Sequence, residues 1–471
     1  MNSKEHNSQI RVNIDTHLQN NNDNLKVATN TSEGIVVSNI KFDTIAISFD
    51  NTKNCTYKII NTKSQQIQPN TIKRIKFENC EFDVEPIVTN EDIFLVEFYN
   101  CVFNSVNNLQ KNLLNITHDN KQVYFYDCKF DKFQLGDIRA IMYNNNVKLC
   151  KFFLYGGEID DLTIENIEIA SKFYINKQYD DNDRLCKIKK LNIYNSIFKE
   201  NFKLHNCEVE EVLIKDVDFD KNADFYKSNF FSGAKNEDNL ESTEINFHAL
   251  NFKSLALFGD VHFYKKFHLR YVTLEGYSHF RNAIFDEGLD LDYTNIQNEM
   301  NFFGAEGLSS KSSRKNTSQE TYRIIKHNFM KLNNTIEANK YHSLELSTHR
   351  KNIKFLDVLL DCKLPIQNTL DWIVSVCHLI SSNYSKNWLI TLGWIILVSI
   401  FTNTFLGHEI YIQEKINWEC IFKYINILTS IDDFKDVVSD NKSYVALTLN
   451  KISLGYLYYQ FLTAIRRNTK S

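Results

Sequence analysis

At 471 residues the chain is too long for one ordinary compact core, so several domains or a repeat array are expected. Hydrophobic residues at 43 % and charged ones at 24 % exclude a chain disordered throughout. A formal net charge of −4, with acids and bases interspersed, offers no basic surface to nucleic acid.

In chain order, residues 1–34 read as a disordered, Asn-rich leader: Asn20, Asn21, Asn22 and Asn24 have little to bury. No basic segment followed by an apolar run marks a secretory signal there, which predicts an intracellular location for the repeats.

From 35 to 308 large apolar residues recur five apart. A helix needs spacings of three and four and a half-buried strand a spacing of two, so neither accounts for it. Phe77 and Phe82 recur as Phe98 and Phe103, then as Phe125, Phe130 and Leu135. The series continues through Leu154, Ile159, Ile164 and Ile169, with later pairs such as Phe280 with Phe285 and Leu291 with Ile296. Two residues before many of these positions sits a small or thiol side chain. Cys80, Cys101, Cys128, Cys150, Cys186 and Cys207 stand in that way before Phe82, Phe103, Phe130, Phe152, Ile188 and Val209, and the residue before the thiol is often Asn or Asp.

This pattern resembles the pentapeptide-repeat family. The resemblance implies a mainly β fold, a right-handed parallel (quadrilateral) β-helix solenoid with four five-residue faces per coil, both the central and the small residue pointing inward. Stacking suits such a chain, because one coil cannot bury its apolar side alone. Cys80 to Cys101 is 21 residues, Cys128 to Cys150 is 22 and Cys186 to Cys207 is 21, so the thiols are expected to form one ladder, one per coil. Thiols strung along a line do not converge as zinc ligands do, so no metal is expected. Buried, reduced thiols acting as small hydrophobes are the better reading. Acids such as Asp160, Asp161, Asp216 and Asp218 are scattered among Lys and Asn, which argues against polysaccharide cleavage; no catalytic residue, cofactor or small-molecule substrate is expected.

The period breaks after Leu308. Residues 309–316 are polar and read as a linker. A helical region is predicted over 317–384, with Thr317 and Glu320 at capping-box spacing and Tyr322, Ile325, Phe329, Leu332 and Ile336 on one face. Asn333 and Asn334 are expected to turn the chain into a second helix. This hairpin resembles the one that joins pentapeptide repeats to paired membrane helices in certain bacterial and archaeal proteins, at Tyr322, Phe329, Ala338, Tyr341 and Glu345, and a role as cap on the last coil is expected.

Residues 385–471 read as a membrane domain. Trp388 to Leu406 is 19 residues without a charge, long enough to span hydrocarbon, and a second transmembrane helix is expected near 444–465 despite Lys451. Arg466 and Arg467 lie just beyond it as a cytoplasmic flank. All four tryptophans, Trp372, Trp388, Trp394 and Trp418, lie in this region and are expected at the membrane interface. The whole predicts a non-enzymatic, multi-pass scaffold or interaction protein of the inner (plasma) membrane, with repeat domain and C-terminus cytoplasmic and with lipid, a protein partner or further copies of itself as partners. The alternative is a subunit of an oligomeric, channel-like two-helix pore, although the loop between the spans lacks a recognisable selectivity filter.

Overall fold

The computed structural model describes residues 11–13, 34–38, 41–42, 48–50, 74–83, 87–88, 94–104, 121–136, 151–177, 185–233, 244–352, 366–406, 411–412, 415–416, 418–434 and 441–469. They fall into two compact units, Met1–Thr317 and Ser318–Ser471.

The first unit is built on two long sheets of parallel strands. One has eleven strands, from Gly34–Ser38 through Arg74–Glu78, Leu95–Tyr99 and Gln122–Tyr126 to Met300–Asn301; the other has sixteen. In both, each strand pairs with one a whole turn of chain away. The registers keep like with like. Phe77 pairs Phe98, Phe98 pairs Phe125, and Phe125 pairs Leu154, while Phe82, Phe103, Phe130, Ile159, Ile188 and Val209 make a second column. Period two within a strand turns these side chains to one side, and all are buried.

The rings define the spacing. Phe82 stacks on Phe103 at 4.8 Å and Phe103 on Phe130 at 4.7 Å, with rings within 10° and 6° of parallel, so each column repeats at the inter-strand distance. The two columns meet edge-on, as Phe98 does with Phe103 at 5.3 Å and 71°, the other favoured aromatic geometry.

The polar residue before the thiol has a backbone cause. Asn79, Asn100, Asp127 and Asn206 have φ of 51°, 50°, 55° and 50°, the left-handed region that Asn and Asp tolerate better than other side chains. They turn the chain from one sheet into the next. A second row of left-handed corners runs through Asn195, Asp216, Ala249, Tyr271 and Tyr293.

One expectation of register is corrected. Cys150 lies outside the described residues, and the position one coil beyond Cys128 is held by Gly157: Glu158 pairs Lys129, and the Glu158 N–H donates to the Cys128 carbonyl at 3.0 Å. The interval from Lys129 to its partner Glu158 is 29 residues, so a spacing of 22 does not reach the next strand. Only glycine fits the place, because its φ is +86° and an added Cβ would lie 2.1 Å from the Cys128 carbonyl oxygen. The column therefore runs Cys80, Cys101, Cys128, Gly157, Cys186, Cys207, Ser228.

Outside, signs alternate along the strand-to-strand direction. Lys129, Glu158, Lys187 and Glu208 succeed one another in register, as do Lys132, Asp161, Lys190 and Glu211. Opposite charges side by side support the register.

Two boundaries differ from the sequence reading. Within the expected leader, Arg11–Asn13 pairs antiparallel with Ser48–Asp50. Segment 309–316, polar enough to read as a linker, carries α1 (Ser313–Asn316), which is fastened to the last strands. Ser313 Oγ donates to the Phe285 carbonyl at 3.0 Å, Asn316 Nδ2 donates to that of Glu287 at 3.0 Å, and Thr317 Oγ1 accepts from the Leu289 N–H at 3.2 Å.

The second unit is helical. α2 (Gln319–Lys331) and α3 (Thr335–Asn352) form the expected hairpin, with Asn333 left-handed at the turn. The cap of α2 is Ser318 rather than Thr317, whose hydroxyl is engaged by Leu289; Ser318 Oγ accepts from the Thr321 N–H at 3.0 Å. Tyr322, Ile325 and Phe329 are buried with Ala338, Tyr341 and Leu344 of α3, whereas Leu332 and Ile336 are exposed because α2 ends at Lys331. The remaining helices are α4 (Ile366–Ser382), α5 (Trp388–Phe405), α6 (Trp418–Ile425) and α7 (Asn441–Thr469). Among the described residues only α5 is a helix long and apolar enough to cross a membrane. α7 covers the second expected span, but Asn450, Lys451, Ser453 and Gln460 lower its apolar character.

Candidate functional site

The most informative geometry lies where α5 packs against α7. Thr391, Ile395, Ser399, Thr402 and Asn403 are the buried residues of α5, four of the five polar, at spacings that trace one helix face. Leu389, Ile396, Leu397, Phe401 and Phe405 are exposed on the remainder. α7 is mixed: Asn450 and Gln460 are buried among Leu447, Leu454, Leu457 and Ala464, while Val445, Leu449, Ile452, Tyr459 and Leu462 are exposed along with Thr448 and Ser453. The burial of α5 reverses the order that water imposes on a folded chain.

Some of the inward polar groups pair across helices, whereas the Asn403 amide and Asn450 Oδ1 are buried without a hydrogen-bond partner among the described residues. Asn450 Nδ2 donates to Thr402 Oγ1 at 2.9 Å, and the hydroxyls of Ser382 and Ser385 both donate to Gln460 Oε1 at 3.1 Å. Thr391 Oγ1 donates to the Ser381 carbonyl at 2.9 Å, which ties α5 back onto α4. Because Thr402 meets Asn450 while Trp388, at the other end of α5, meets Phe461, α5 and α7 run antiparallel.

Between α4 and α5 the residues Asn383, Tyr384 and Ser385 are all left-handed, with φ of 49°, 59° and 61°. Such a turn is costly for non-glycine residues and holds only where surroundings fix it. Here Arg350 Nε donates to the Tyr384 hydroxyl at 3.0 Å, and Arg467 Nη1 donates to the Tyr384 carbonyl at 3.3 Å.

The structure places the expected interface residues unevenly. Trp388 opens α5 and is 38 % exposed, whereas Trp394 is half-buried and donates its Nε1–H to the Ile380 carbonyl at 3.0 Å. Trp372 is half-buried on α4. Trp418 opens α6, and its side chain lies outside the described residues. Arg466 is exposed, and Arg467 is turned back onto Tyr384. The residues that sequence reasoning missed are the polar seam and the Asn383–Ser385 turn; the spacing of Thr391, Ile395, Ser399 and Thr402 was a readable signal for the first.

In the first unit, burial pushes the Cys101 and Cys207 thiols up, which disfavours the reactive thiolate. His268 is 1 % exposed and sits between two carboxylates, Asp290 at 2.8 Å from Nδ1 and Glu244 at 2.8 Å from Nε2, with Arg270 Nη2 donating to Asp290 at 2.8 Å. Both ring nitrogens are engaged, so this is a closed ionic network rather than an open acid–base site. Among the described residues no group of three or more His, Cys, Asp and Glu is arranged to hold a metal ion. Comparisons with protein-family models, with curated proteins and with solved structures find no match to this chain.

Proposed function

We propose that the chain is a non-enzymatic, membrane-anchored interaction protein. In this reading residues 35–308 form a right-handed, four-sided β-helix of the pentapeptide-repeat kind. Two rows of left-handed corners per turn and inward columns that recur coil after coil support the four sides, and parallel crossovers in one sheet are almost always right-handed. α5 and α7 cross the bilayer of the plasma (inner) membrane as an antiparallel pair, with the first unit and the C-terminus on the cytoplasmic side, where Arg466 and Arg467 lie. The β-helix offers its long outer surface of alternating charge to a protein partner.

The observation that carries this reading is the inverted burial of α5, whose apolar side chains are outside even though it packs on α7. Only 28 % of α5 is buried, whereas the core helix of a soluble protein is mostly buried. Lipid supplies no hydrophobic drive between helices, so their contacts are made by small and polar groups while large apolar side chains face the acyl chains. The test is fractionation of the full chain. It should stay with membranes through an alkaline carbonate wash, and a chain ending at Ser382 should be released. A full chain that is soluble without detergent overturns the reading. Reporters at the C-terminus and before Lys386 should read cytoplasmic, and one near Asp432 external.

A further inference from the structure

We infer that α6 and the turn after it, residues 418–430, re-enter the bilayer from the outer side and present Phe422, Ile427 and Leu428 to lipid acyl chains. The inference rests on the membrane reading of α5 and α7 and assigns a membrane contact to a segment that sequence alone placed in the outer loop.

Depth comes from packing. Ile425, the last residue of α6, lies against the cluster of Ile395, Leu454 and Leu457. Ile395 stands ten residues before the end of α5 at Phe405, about 15 Å along the helix at ~1.5 Å per residue, roughly half of a ~30 Å hydrocarbon layer. One residue earlier, Tyr424 packs with Phe434, Leu447 and Leu406, the residue that caps α5. The segment therefore dips from the outer end of the helix pair toward its middle.

The backbone chemistry fits that depth. A helix ends with carbonyls that have no partner within it, and in hydrocarbon no water serves them. Here the Tyr458 hydroxyl donates to the Ile425 carbonyl at 3.1 Å and Lys451 Nζ to the Asn426 carbonyl at 2.7 Å. Within the turn, Asn426 Oδ1 accepts from the Leu428 N–H at 3.0 Å. This gives Lys451, the one charge between Tyr444 and Ile465, a task. Its ammonium also lies 5.6 Å from the Phe434 ring, with that of Lys423 at 4.8 Å, so both cations reach toward the outer end of α5.

The occupant is set by continuity. Leu428 is 88 % exposed and Phe422 60 %, and Ile427 lies against Gly455, where an added Cβ would meet its Cδ1 at 3.5 Å. Gly455 shares a face of α7 with Ile452 and Tyr459, both exposed. The tip thus extends the apolar surface that α5 and α7 already turn to lipid.

The test places a nitroxide-bearing unnatural residue at Ile396, Leu428 or Lys442 of the full chain in phospholipid vesicles. Collisions with oxygen, which concentrates in lipid, are compared with those of a nickel chelate confined to water. Ile396 and Leu428 should favour oxygen roughly tenfold over Lys442. Nickel access at Ile396 overturns the membrane reading itself. Oxygen at Ile396 with nickel at Leu428 overturns re-entry alone, and Leu428 shielded from both places a second copy on the tip instead of lipid. Lys451→Ala should make Leu428 accessible to nickel while Lys451→Arg should not; an unchanged Leu428 in Lys451→Ala refutes the clamp.

Discussion

Replacing Phe103 with alanine is the sharpest probe of the repeat core. The ring is fully buried, stacked on Phe82 at 4.8 Å and on Phe130 at 4.7 Å, and met edge-on by Phe98 at 5.3 Å and Phe125 at 5.7 Å. Truncating a core phenylalanine costs about 3–5 kcal/mol, the upper end where surroundings cannot collapse. Collapse is hindered here, because the strands above and below are pinned by bonds such as Val102 N–H to Cys80 O and Lys129 N–H to Cys101 O, both 2.9 Å. The expected loss is therefore close to about 5 kcal/mol. Lys129→Ala is the control. Its ammonium lies 3.0 Å from Glu158 but is 61 % exposed, so its loss should cost at most about 0.5 kcal/mol. Urea titration of the full chain in detergent, monitored by far-ultraviolet circular dichroism, compares the two. Equal shifts in midpoint would mean that Phe103 does not point inward and that the register is wrong.

Gly157→Ala should match Phe103→Ala in that titration despite adding a single methyl group, since the Cβ would stand 2.1 Å from the Cys128 carbonyl oxygen; a near-neutral result would refute the Cys128–Gly157 pairing. Burial alone would raise the Glu345 carboxyl, but His342, Lys326 and Arg323 outweigh it and hold it at about 2. A depressed carboxylate gives stability that is complete above its unfolded value of 4.5 and is lost as pH falls toward 2. Glu345→Gln should thus remove about 2 kcal/mol at pH 7 and nothing near pH 2; a pH-independent difference would show that the ion pairs are not its source.

The five-residue period was legible because every fifth large side chain enters a column, and columns tolerate substitutions among Phe, Ile, Leu and Val. Coil length was not. No change in composition between Gly136 and Lys151 marks a longer interval, so spacing makes Cys150 the successor of Cys128 when Gly157 holds that place. The Asn or Asp before Cys80, Cys101, Cys128 and Cys207 is visible as a pattern but not as a cause, since a left-handed φ is a property of the corner rather than of spacing. In the C-terminal unit, charge-free length disclosed α5, yet length does not say which face turns inward. The polar seam needed the partner helix, because Thr402 gains meaning only from Asn450, and Gln460 from Ser382 and Ser385.

The repeat stack and α5 choose their interiors by opposite rules, and that contrast bears on function. In the stack, rings are inside and alternating Lys and Glu outside, the order that water selects. On α5, Thr391, Ser399, Thr402 and Asn403 are inside with Ile395, and Leu389, Leu397, Phe401 and Phe405 are outside; α7 buries Asn450 and Gln460 together with Leu447, Leu454, Leu457 and Ala464. A soluble protein would gain by rotating α5 half a turn, burying Leu397, Phe401 and Phe405 at about 1.5–3 kcal/mol each. That this rotation is not taken, and that hydrogen bonds between side chains fix the polar faces together, supports a surrounding in which those side chains have nothing to gain from burial. With lipid as that surrounding, as proposed above, anchoring would be a property of α5 and α7 themselves, whatever partner the stack receives.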